Sequence, residues 1–473
     1  MKIVFTSLFQ DGMGGGAGRV AHELAGAFGR EGHQVVMICP MNFTGLQDTG
    51  GEVLTYGVRS AGDDDFHMPV LTGRIVRSIF DFLNEFKPDV IHAHDPALIG
   101  LIGQVWAKMN QVPFVHTAHI LPSKALEFGT SDALNVRLLK SSLSETITHR
   151  VLDDFYANCD ALIALNQSAH DSIREFGYQG RVFVIPNGRN LSKYQPCRPA
   201  DITAEEKIVT FIGYINRRKN QSYLLQTLRY LPDDVRLQFV GRPLDEDYKK
   251  ELDGIIERYE LESVEFLGQV PHEQIPELLE ETHVFPSASK MEVQSLVVIE
   301  ALASGTPVVG LSNETIDELV NEHVGGWLPK DTEPDRFAEE IQRILELNPE
   351  QYREMSRQAR ERVSHLDWAK IVKVTARSYR ELQEAEITFS KEGSAVLEDL
   401  VGLFTTGEVE KYLKDRLAEY RRQWRTGKLL DRLNIPERLF SWIRVPTSTW
   451  LISGVTIVVS VLGYLFMKGK KDA

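Results

Sequence analysis

The chain has 473 residues, 42% of them hydrophobic and 25% charged, which is a composition typical of a globular protein with two or three domains. Its net charge of -14 excludes a general attraction to nucleic acid, so no nucleic-acid partner is expected. The three cysteines, Cys39, Cys159 and Cys197, are far apart, which argues against a disulfide framework and indicates reduced thiols in a cytosolic compartment.

The first part of the chain, residues 1–200, alternates short apolar runs with segments of helical periodicity. The apolar runs predict strands at 3–7, 34–39, 90–93, 114–117, 161–165 and 182–185. The periodic segments predict helices at 18–30 and 72–86. Strands that alternate with helices are typical of an α/β domain with a doubly wound, parallel sheet, so we predict a Rossmann-like domain here.

A glycine-rich turn, Gly12-Met13-Gly14-Gly15-Gly16-Ala17-Gly18, joins the first predicted strand to the first predicted helix. Glycines let the backbone approach a ligand closely, and the start of a helix favours an anion such as a diphosphate. The turn also fits the dinucleotide pattern G-x-G-x-x-A. However, Cys39 is followed by Pro40 where a nicotinamide-binding domain needs an acidic residue, which argues against a dehydrogenase.

Residues 201–385 repeat the same alternation and predict a second Rossmann-like domain. Its strands are predicted at 208–212, 237–240, 264–267, 284–285 and 308–309. Ligands of such sheets bind beyond the C-terminal ends of the strands, so two facing domains would offer a cleft between them.

One segment of this second domain, Ser287 to Val309, carries two glutamates, Glu292 and Glu300, around a predicted loop and helix start. Such a pair alone is typical of a solvated helix face. Here, Pro286 precedes the segment, and the pattern Glu-Ala-x-Ala-x-Gly-x-Pro-Val-Val ends it. The complete segment is therefore a specific motif.

After residue 385 the strand signals stop, and residues 386–446 predict a helical extension that ends in a basic stretch. This extension is either a solvated linker or a surface that contacts anionic lipid headgroups. Residues 447–467 carry no charge, and at about 1.5 Å per residue they would span roughly 30 Å, the thickness of a bilayer core. We predict a single transmembrane helix there, with a buried core helix as the alternative. The basic residues before it place the globular domains in the cytoplasm.

The segment from Ser287 to Val309 resembles the donor-site signature of glycosyltransferase family 4, a large group of retaining enzymes with the two-domain GT-B fold. Pro113 to His119 is similar to the strand that delivers the active-site histidine of that family, and Ile185 to Gly188 matches the segment that closes its first domain. The resemblance covers most of residues 1–385. It implies an acceptor-side domain at 1–200 and a nucleotide-sugar-binding domain at 201–385.

The resemblance also implies roles for individual residues. His119 would lie near the donor sugar, Lys219 would neutralise charge on the leaving nucleoside diphosphate, and Glu292 would hold sugar hydroxyls, so that these three are the predicted catalytic residues. Glu300 would accept hydrogen bonds from the ribose hydroxyls. The predicted donor-binding residues are Gly15, Gly16, Arg218, Ser295, Leu296, Val297 and Glu300.

The sequence departs from the family at two places in this predicted donor site. Tyr214 stands where the family usually has an arginine, and either Arg217 or Arg218 would replace that cation. The usual glycines after the first glutamate are replaced by Val293-Gln294-Ser295. The identity of the donor sugar is therefore left open.

Together these features predict a retaining glycosyltransferase that uses a nucleotide diphosphate sugar. The predicted acceptor lies at or near the membrane. The anchor at 447–467 favours a lipid-linked acceptor, such as a diacylglycerol or a polyprenyl-linked sugar, because it would concentrate the enzyme over it, with a soluble acceptor as the alternative. The alternatives are a nucleotide-sugar epimerase of the same architecture and a membrane-tethered, non-catalytic scaffold that binds nucleotide sugars.

No metal and no cofactor beyond the co-substrate are expected. The run Asp63-Asp64-Asp65 is interpreted as a solvated loop, because the pattern provides it with no further ligand. His92, His94 and His116 are interpreted as packing or surface residues rather than as ligands.

Overall fold

The computed structural model describes residues 1–12, 15–48, 50–63, 66–69, 72–119, 155–194 and 199–385. The predicted helical extension at 386–446 and the predicted transmembrane segment at 447–467 lie outside the described residues, as does Cys197. Cys39 and Cys159 are both buried free thiols.

The described chain folds into two compact units that exchange short segments. Unit 1 contains Met1–Ile163, Ser172–Phe183 and the chain from Arg377 to the end of the last helix. Unit 2 contains Ala164–Asp171 and Val184–Ala376. This division into units does not test the domain limits predicted from the sequence, 1–200 and 201–385, which stay a prediction.

Nine strands of the described residues form the first sheet, and buried apolar side chains concentrate in its central strands. The nine strands are β1 (Lys2–Thr6), β2 (Gln34–Met41), β3 (Gly45–Gln47), β4 (Leu54–Asp63), β5 (Phe66–Pro69), β6 (Val90–Ala93), β7 (Phe114–Thr117), β8 (Ala161–Ala164) and β9 (Arg181–Val184). Within the described residues the order is β3-β4-β2-β1-β6-β7-β8-β9, with β5 paired to β4. Pairing is parallel from β4 through β2, β1, β6 and β7 to β8. β1 therefore lies between β2 and β6, and the strands before and after this point are added on opposite sides of the sheet. This position is the switch point of the sheet.

The prediction that the run Asp63-Asp64-Asp65 is a loop is wrong for Asp63. Asp63 ends β4, which pairs antiparallel with β5 through Asp63 and Phe66. Tyr56 and Val58 of β4 are both buried, as side chains two residues apart on one face of a strand are, and the ladder continues past the turn signals to Asp63.

The helices that the structure describes surround these sheets. They are α1 (Gly15–Arg30), α2 (Gly73–Phe86), α3 (Leu98–Asn110), α4 (Gln167–Glu175), α5 (Gln221–Leu228), α6 (Glu246–Tyr259), α7 (Ile275–Glu281), α8 (Leu296–Ser304), α9 (Glu314–Leu319), α10 (Pro334–Leu345), α11 (Pro349–Val363) and α12 (Trp368–Glu384). Short 3₁₀ turns lie at Leu191–Tyr194, His272–Gln274 and Ser364–Leu366. Local signals set their limits: Thr72, for example, accepts a hydrogen bond from the Ile75 amide and caps α2.

Unit 2 is built on two three-stranded parallel sheets. Their strands are β10 (Lys207–Ile212), β11 (Val235–Val240), β12 (Val264–Gly268), β13 (Phe285–Ser287), β14 (Val308–Leu311) and β15 (Gly325–Leu328). A parallel bridge between Val209 and Val284 joins them. Phe211 and Phe239 pack into one buried cluster, whereas Ile212 and Val240 pack into another. Because successive residues of a strand point to opposite faces, the sheet is buried on both faces, as a doubly wound sheet requires.

The predicted membrane localisation is contradicted by the structure. Across the part of the chain that is described, no helix combines the length and apolar character that crossing a bilayer requires. For the described residues we therefore correct the predicted localisation, a single-pass C-terminal anchor with the catalytic domains in the cytoplasm; the predicted segment 447–467 lies outside them.

Candidate functional site

The centre of the candidate site is the Glu292 carboxylate, which lies in the loop between β13 and α8. Its Oε1 atom accepts from the Lys219 ammonium at 2.5 Å and from the Arg218 guanidinium at 3.1 Å. Arg218 also donates to the Met291 carbonyl at 3.1 Å. Both cations follow β10 and Glu292 follows β13, and the parallel bridge between Val209 and Val284 joins the sheets of these two strands. The three side chains therefore lie beyond the C-terminal ends of two parallel strands.

Electrostatics hold this cluster in its charged form. Burial alone would raise the pKa of Glu292, but the charges of Lys219 and Arg218, with hydrogen bonds from Lys219 and Ser289, outweigh it and keep that pKa below its ordinary value. Burial lowers the pKa of Lys219, and the attraction of Glu292 opposes that effect. Two cations thus share one carboxylate, which leaves the cluster with an excess of positive charge.

The structure distinguishes the two arginines that the sequence left as alternatives. Arg217 donates to Glu251 at 2.7 Å and lies over the Tyr248 ring at 5.1 Å. Arg218 instead contacts Glu292, and its carbonyl accepts from the Lys290 amide at 2.9 Å. Arg218 is therefore the arginine of the Glu292 cluster.

The start of helix α8 follows this cluster directly. Ser295 is the N-cap residue, but its side chain makes no capping hydrogen bond, and its amide donates to the Thr315 hydroxyl at 2.8 Å. The next amides, those of Leu296 and Val297, belong to the first turn, where an α-helix offers no carbonyl partner. Amides at a helix start can bind an anion, and here they follow the two cations of the Glu292 cluster.

The loop before the helix is held by side-chain amides in place of the glycines that the family uses. The Asn166 amide donates to the Val293 carbonyl at 2.7 Å. The Gln294 side-chain oxygen accepts from the Asn187 backbone amide at 2.7 Å. The loop conformation is therefore fixed by hydrogen bonds from two other segments of unit 2.

The second glutamate, Glu300, lies in a buried ion pair. Its Oε1 atom lies 2.8 Å from an Arg189 nitrogen and 3.0 Å from His272 Nε2. The side chains of Arg189 and Glu300 are each only 2% exposed, and His272 is 21% exposed. Backbone hydrogen bonds to Leu366 and Trp368 hold Arg189 in place. His272 is thus the more solvent-exposed of the two partners of the Glu300 carboxylate.

The remaining predicted residues lie in unit 1. Gly15 and Gly16 are the first residues of helix α1, where backbone amides point out of the helix start. His119 follows β7, and its Nε2 atom lies 2.9 Å from Nδ1 of His94. His92, His94 and His116 are buried in this unit.

The structure thus brings Lys219, Arg218 and Glu292 together and places Ser295, Leu296, Val297 and Glu300 at the start of α8 and along it. The other two predicted donor-binding residues, Gly15 and Gly16, lie in unit 1. Sequence reasoning missed Arg189 and His272. The sequence could have indicated Arg189, because this arginine directly follows Asn187-Gly188 and the residues after it pack into the core of unit 2. His272 gave no signal, because nothing local marks a histidine in a 3₁₀ turn as a partner of a distant glutamate.

No group of three or more His, Cys, Asp or Glu side chains within the described ranges is arranged to hold a metal ion. The expectation that no metal or cofactor is required stays a prediction.

Two family models match the chain. Residues 14–193 match the model described as Glycosyltransferase Family 4, and residues 198–362 match the model described as Glycosyl transferases group 1.

Curated relatives resemble most of the chain at low identity. A glycogen synthase of Mycobacterium tuberculosis is 26% identical over 398 residues, which is 79% of this chain and 92% of the relative. An alpha-monoglucosyldiacylglycerol synthase of Streptococcus pneumoniae is 24% identical over 263 residues, 52% of this chain and 57% of the relative.

Solved structures share the fold. A sucrose-phosphate synthase of Thermosynechococcus elongatus has a TM-score of 0.64 at 23% identity and covers 80% of this chain and 98% of its own. The HepE protein of Anabaena, solved with UDP-glucose, has a TM-score of 0.62 at 22% identity and covers 80% and 100%. These likenesses show the α/β GT-B fold expected from the sequence.

Proposed function

Because the two family models together span residues 14–193 and 198–362, the chain belongs to the group 1 glycosyltransferases of family 4, and we propose that it transfers a sugar from a nucleoside diphosphate sugar to an acceptor hydroxyl with retention at the anomeric carbon. The observation that carries this proposal is the cluster of Lys219 and Arg218 on Glu292, beside the start of α8.

The proposed work of this cluster is to stabilise the leaving group. When the bond between the anomeric carbon and the diphosphate oxygen breaks, the nucleoside diphosphate gains negative charge. Lys219, Arg218 and the amides of Leu296 and Val297 are preorganised positive groups that meet this charge without rearranging. Since the two cations already share Glu292, they are held in place before the donor binds.

Glu292 has a second proposed role. A buried, ionised carboxylate accepts hydrogen bonds strongly, so it suits the hydroxyls of the transferred sugar. Glu300 and His272 are proposed to meet the ribose, with Arg189 holding the carboxylate in place from its buried side. His119, Gly15 and Gly16 are proposed to contribute from unit 1, and their roles rest on the family resemblance.

Two finer features of the proposal have weaker support. Retention rests on family membership. A lipid-linked acceptor is supported by the pneumococcal relative, whose name specifies a diacylglycerol product, whereas the mycobacterial relative is named for glycogen. We therefore propose a hydroxyl acceptor and make the choice between lipid and polysaccharide part of the test.

The test is nucleotide release from a panel of nucleoside diphosphate sugars, with diacylglycerol, polyprenyl-linked sugar or glycogen as acceptor. We expect one donor to be turned over, with a product whose anomeric configuration NMR identifies as that of the donor. Lys219→Ala is expected to lower kcat by about 100- to 1,000-fold. Arg217→Met is the matched control, since Arg217 faces Glu251 rather than Glu292.

The alternatives predict different results. A non-catalytic scaffold would bind a donor and turn it over with none of the acceptors. An epimerase would convert the donor to a nucleotide sugar with an inverted sugar carbon, without any acceptor. Either result would overturn the proposed transfer reaction.

A further inference from the structure

Unit 1 contains a histidine pair in which His119 has a proposed role in the reaction and His94 has none. Nδ1 of His94 and Nε2 of His119 lie 2.9 Å apart, and the two rings stack with centroids 5.2 Å apart and an interplanar angle of 23°. His94 follows β6 and His119 follows the neighbouring β7, at the same end of the sheet. Phe5 and His92 pack against the His94 ring and restrict its rotation.

Each ring in this pair is neutral. Burial lowers the pKa of His119 to about 4, and burial together with neighbouring histidines lowers the pKa of His94 well below its ordinary value. A neutral imidazole has one N–H donor and one bare nitrogen acceptor. One proton therefore lies between His94 and His119, and the ring that donates it determines the tautomer of both.

The other nitrogen of His94 indicates which of the two rings donates this proton. Its Nε2 atom is buried and makes no hydrogen bond to any residue that the structure describes. A buried N–H without a partner is rarer in proteins than an acceptor left without one. His94 therefore keeps Nε2 bare and carries its proton on Nδ1, which donates to Nε2 of His119. His119 must then carry its own proton on Nδ1.

From this geometry we infer that His94 is a positioning residue that fixes His119 as an Nδ1–H donor toward a sugar oxygen. This inference rests on the proposed function for the identity of the ligand, but not for the tautomer. With Nε2 occupied by His94, His119 has only Nδ1 to offer a ligand, and that atom can donate but not accept. His119 is then suited to a hydroxyl oxygen or to an oxygen that gains negative charge, and unsuited to act as a base.

The first test is spectroscopic and needs no turnover. Long-range ¹H–¹⁵N spectra of the full chain labelled with ¹⁵N-histidine report which ring nitrogen carries the proton, and the His119 signals are those lost in His119→Phe. We expect His119 protonated at Nδ1 in the native protein, and a change of tautomer in His94→Phe. Protonation at Nε2 in the native protein, or an unchanged tautomer in His94→Phe, would overturn the inference.

The second test is kinetic. His94→Phe is expected to lower kcat about tenfold, as loss of one net hydrogen bond of about 1.4 kcal/mol would. The double variant with His119→Phe is expected to lose no more than His119→Phe alone, because both changes remove the same donor. Additive losses would contradict a role that acts through His119.

A matched control separates positioning from stability. His116 is likewise buried on β7, and its Nδ1 atom donates to the Ala93 carbonyl at 3.0 Å. His116→Phe is expected to lower stability without changing the His119 tautomer or kcat. If no nucleotide sugar is turned over by the native protein, the proposed function fails, while the spectra still decide the tautomer.

Discussion

Replacing Arg218 should weaken donor binding, whereas replacing Arg217 should not. Arg218→Met removes the guanidinium that contacts Glu292 and keeps the aliphatic stem of the side chain. Arg217→Met removes a neighbouring guanidinium that pairs with Glu251 instead. The two variants change the net charge equally, so any difference between them comes from position.

The size of the effect follows from the geometry. Two unit charges about 4 Å apart attract by about 4 kcal/mol at the effective dielectric constant of 20 that suits protein sites. The Arg218 side chain is 25% exposed, and Glu292 at 3.1 Å competes with the diphosphate for it. We expect these two factors to halve the effect to about 2 kcal/mol, which is roughly a 30-fold rise in the donor dissociation constant.

Isothermal titration with the preferred donor measures this constant directly. Arg217 is 42% exposed in a surface ion pair, so its removal should change donor affinity by less than about twofold. Repeating the titration at high salt should reduce the Arg218 effect, because Arg218 is partly exposed and salt screens its attraction for the diphosphate. Equal losses in the two variants would refute the assignment of Arg218 to the donor site.

Three further predictions concern stability and the loop. Glu300→Gln leaves the Arg189 guanidinium buried without an opposite charge, so urea denaturation should show a fall of about 3 kcal/mol in the free energy of unfolding; an unchanged midpoint would contradict a buried ion pair. Gln294→Ala removes the acceptor of the Asn187 amide, so the KM for the donor should rise about tenfold with a smaller change in kcat. A fall in kcat alone would show that this hydrogen bond does not order the donor loop. The pKa of Glu292 is lowered in the folded state, so its contribution to stability is present above its ordinary value of 4.5 and disappears as pH falls through the lowered value. The difference in unfolding free energy between the native protein and Glu292→Gln should therefore shrink on acidification, and a difference independent of pH would contradict the charged cluster.

Much of unit 2 was predictable because parallel sheets bring the ends of their strands to one edge. The sequence placed Lys219 after one strand and Glu292 after another, and the structure brings their charged atoms into contact. Local patterns could not choose between Arg217 and Arg218, since adjacent residues share the same pattern and differ only in the direction of their side chains.

Contacts between distant segments were beyond sequence reasoning. The replacement of glycines at Val293-Gln294-Ser295 raised a question about the donor loop, but the hydrogen-bond donors that fix this loop lie at Asn166 and Asn187. Periodicity reports which face of an element is buried, not which polar partner it meets there. The tautomer of His119 depends likewise on a single atom of another strand.

The pair of Arg189 and Glu300 constrains how this protein can evolve. Substituting either residue alone leaves the charge of the other uncompensated and almost fully shielded from water, so each single substitution gives a destabilised protein. A lineage that carries this pair is therefore expected to keep both residues or to lose both, and paired substitution at these two positions across close homologues would be the genetic trace of that coupling.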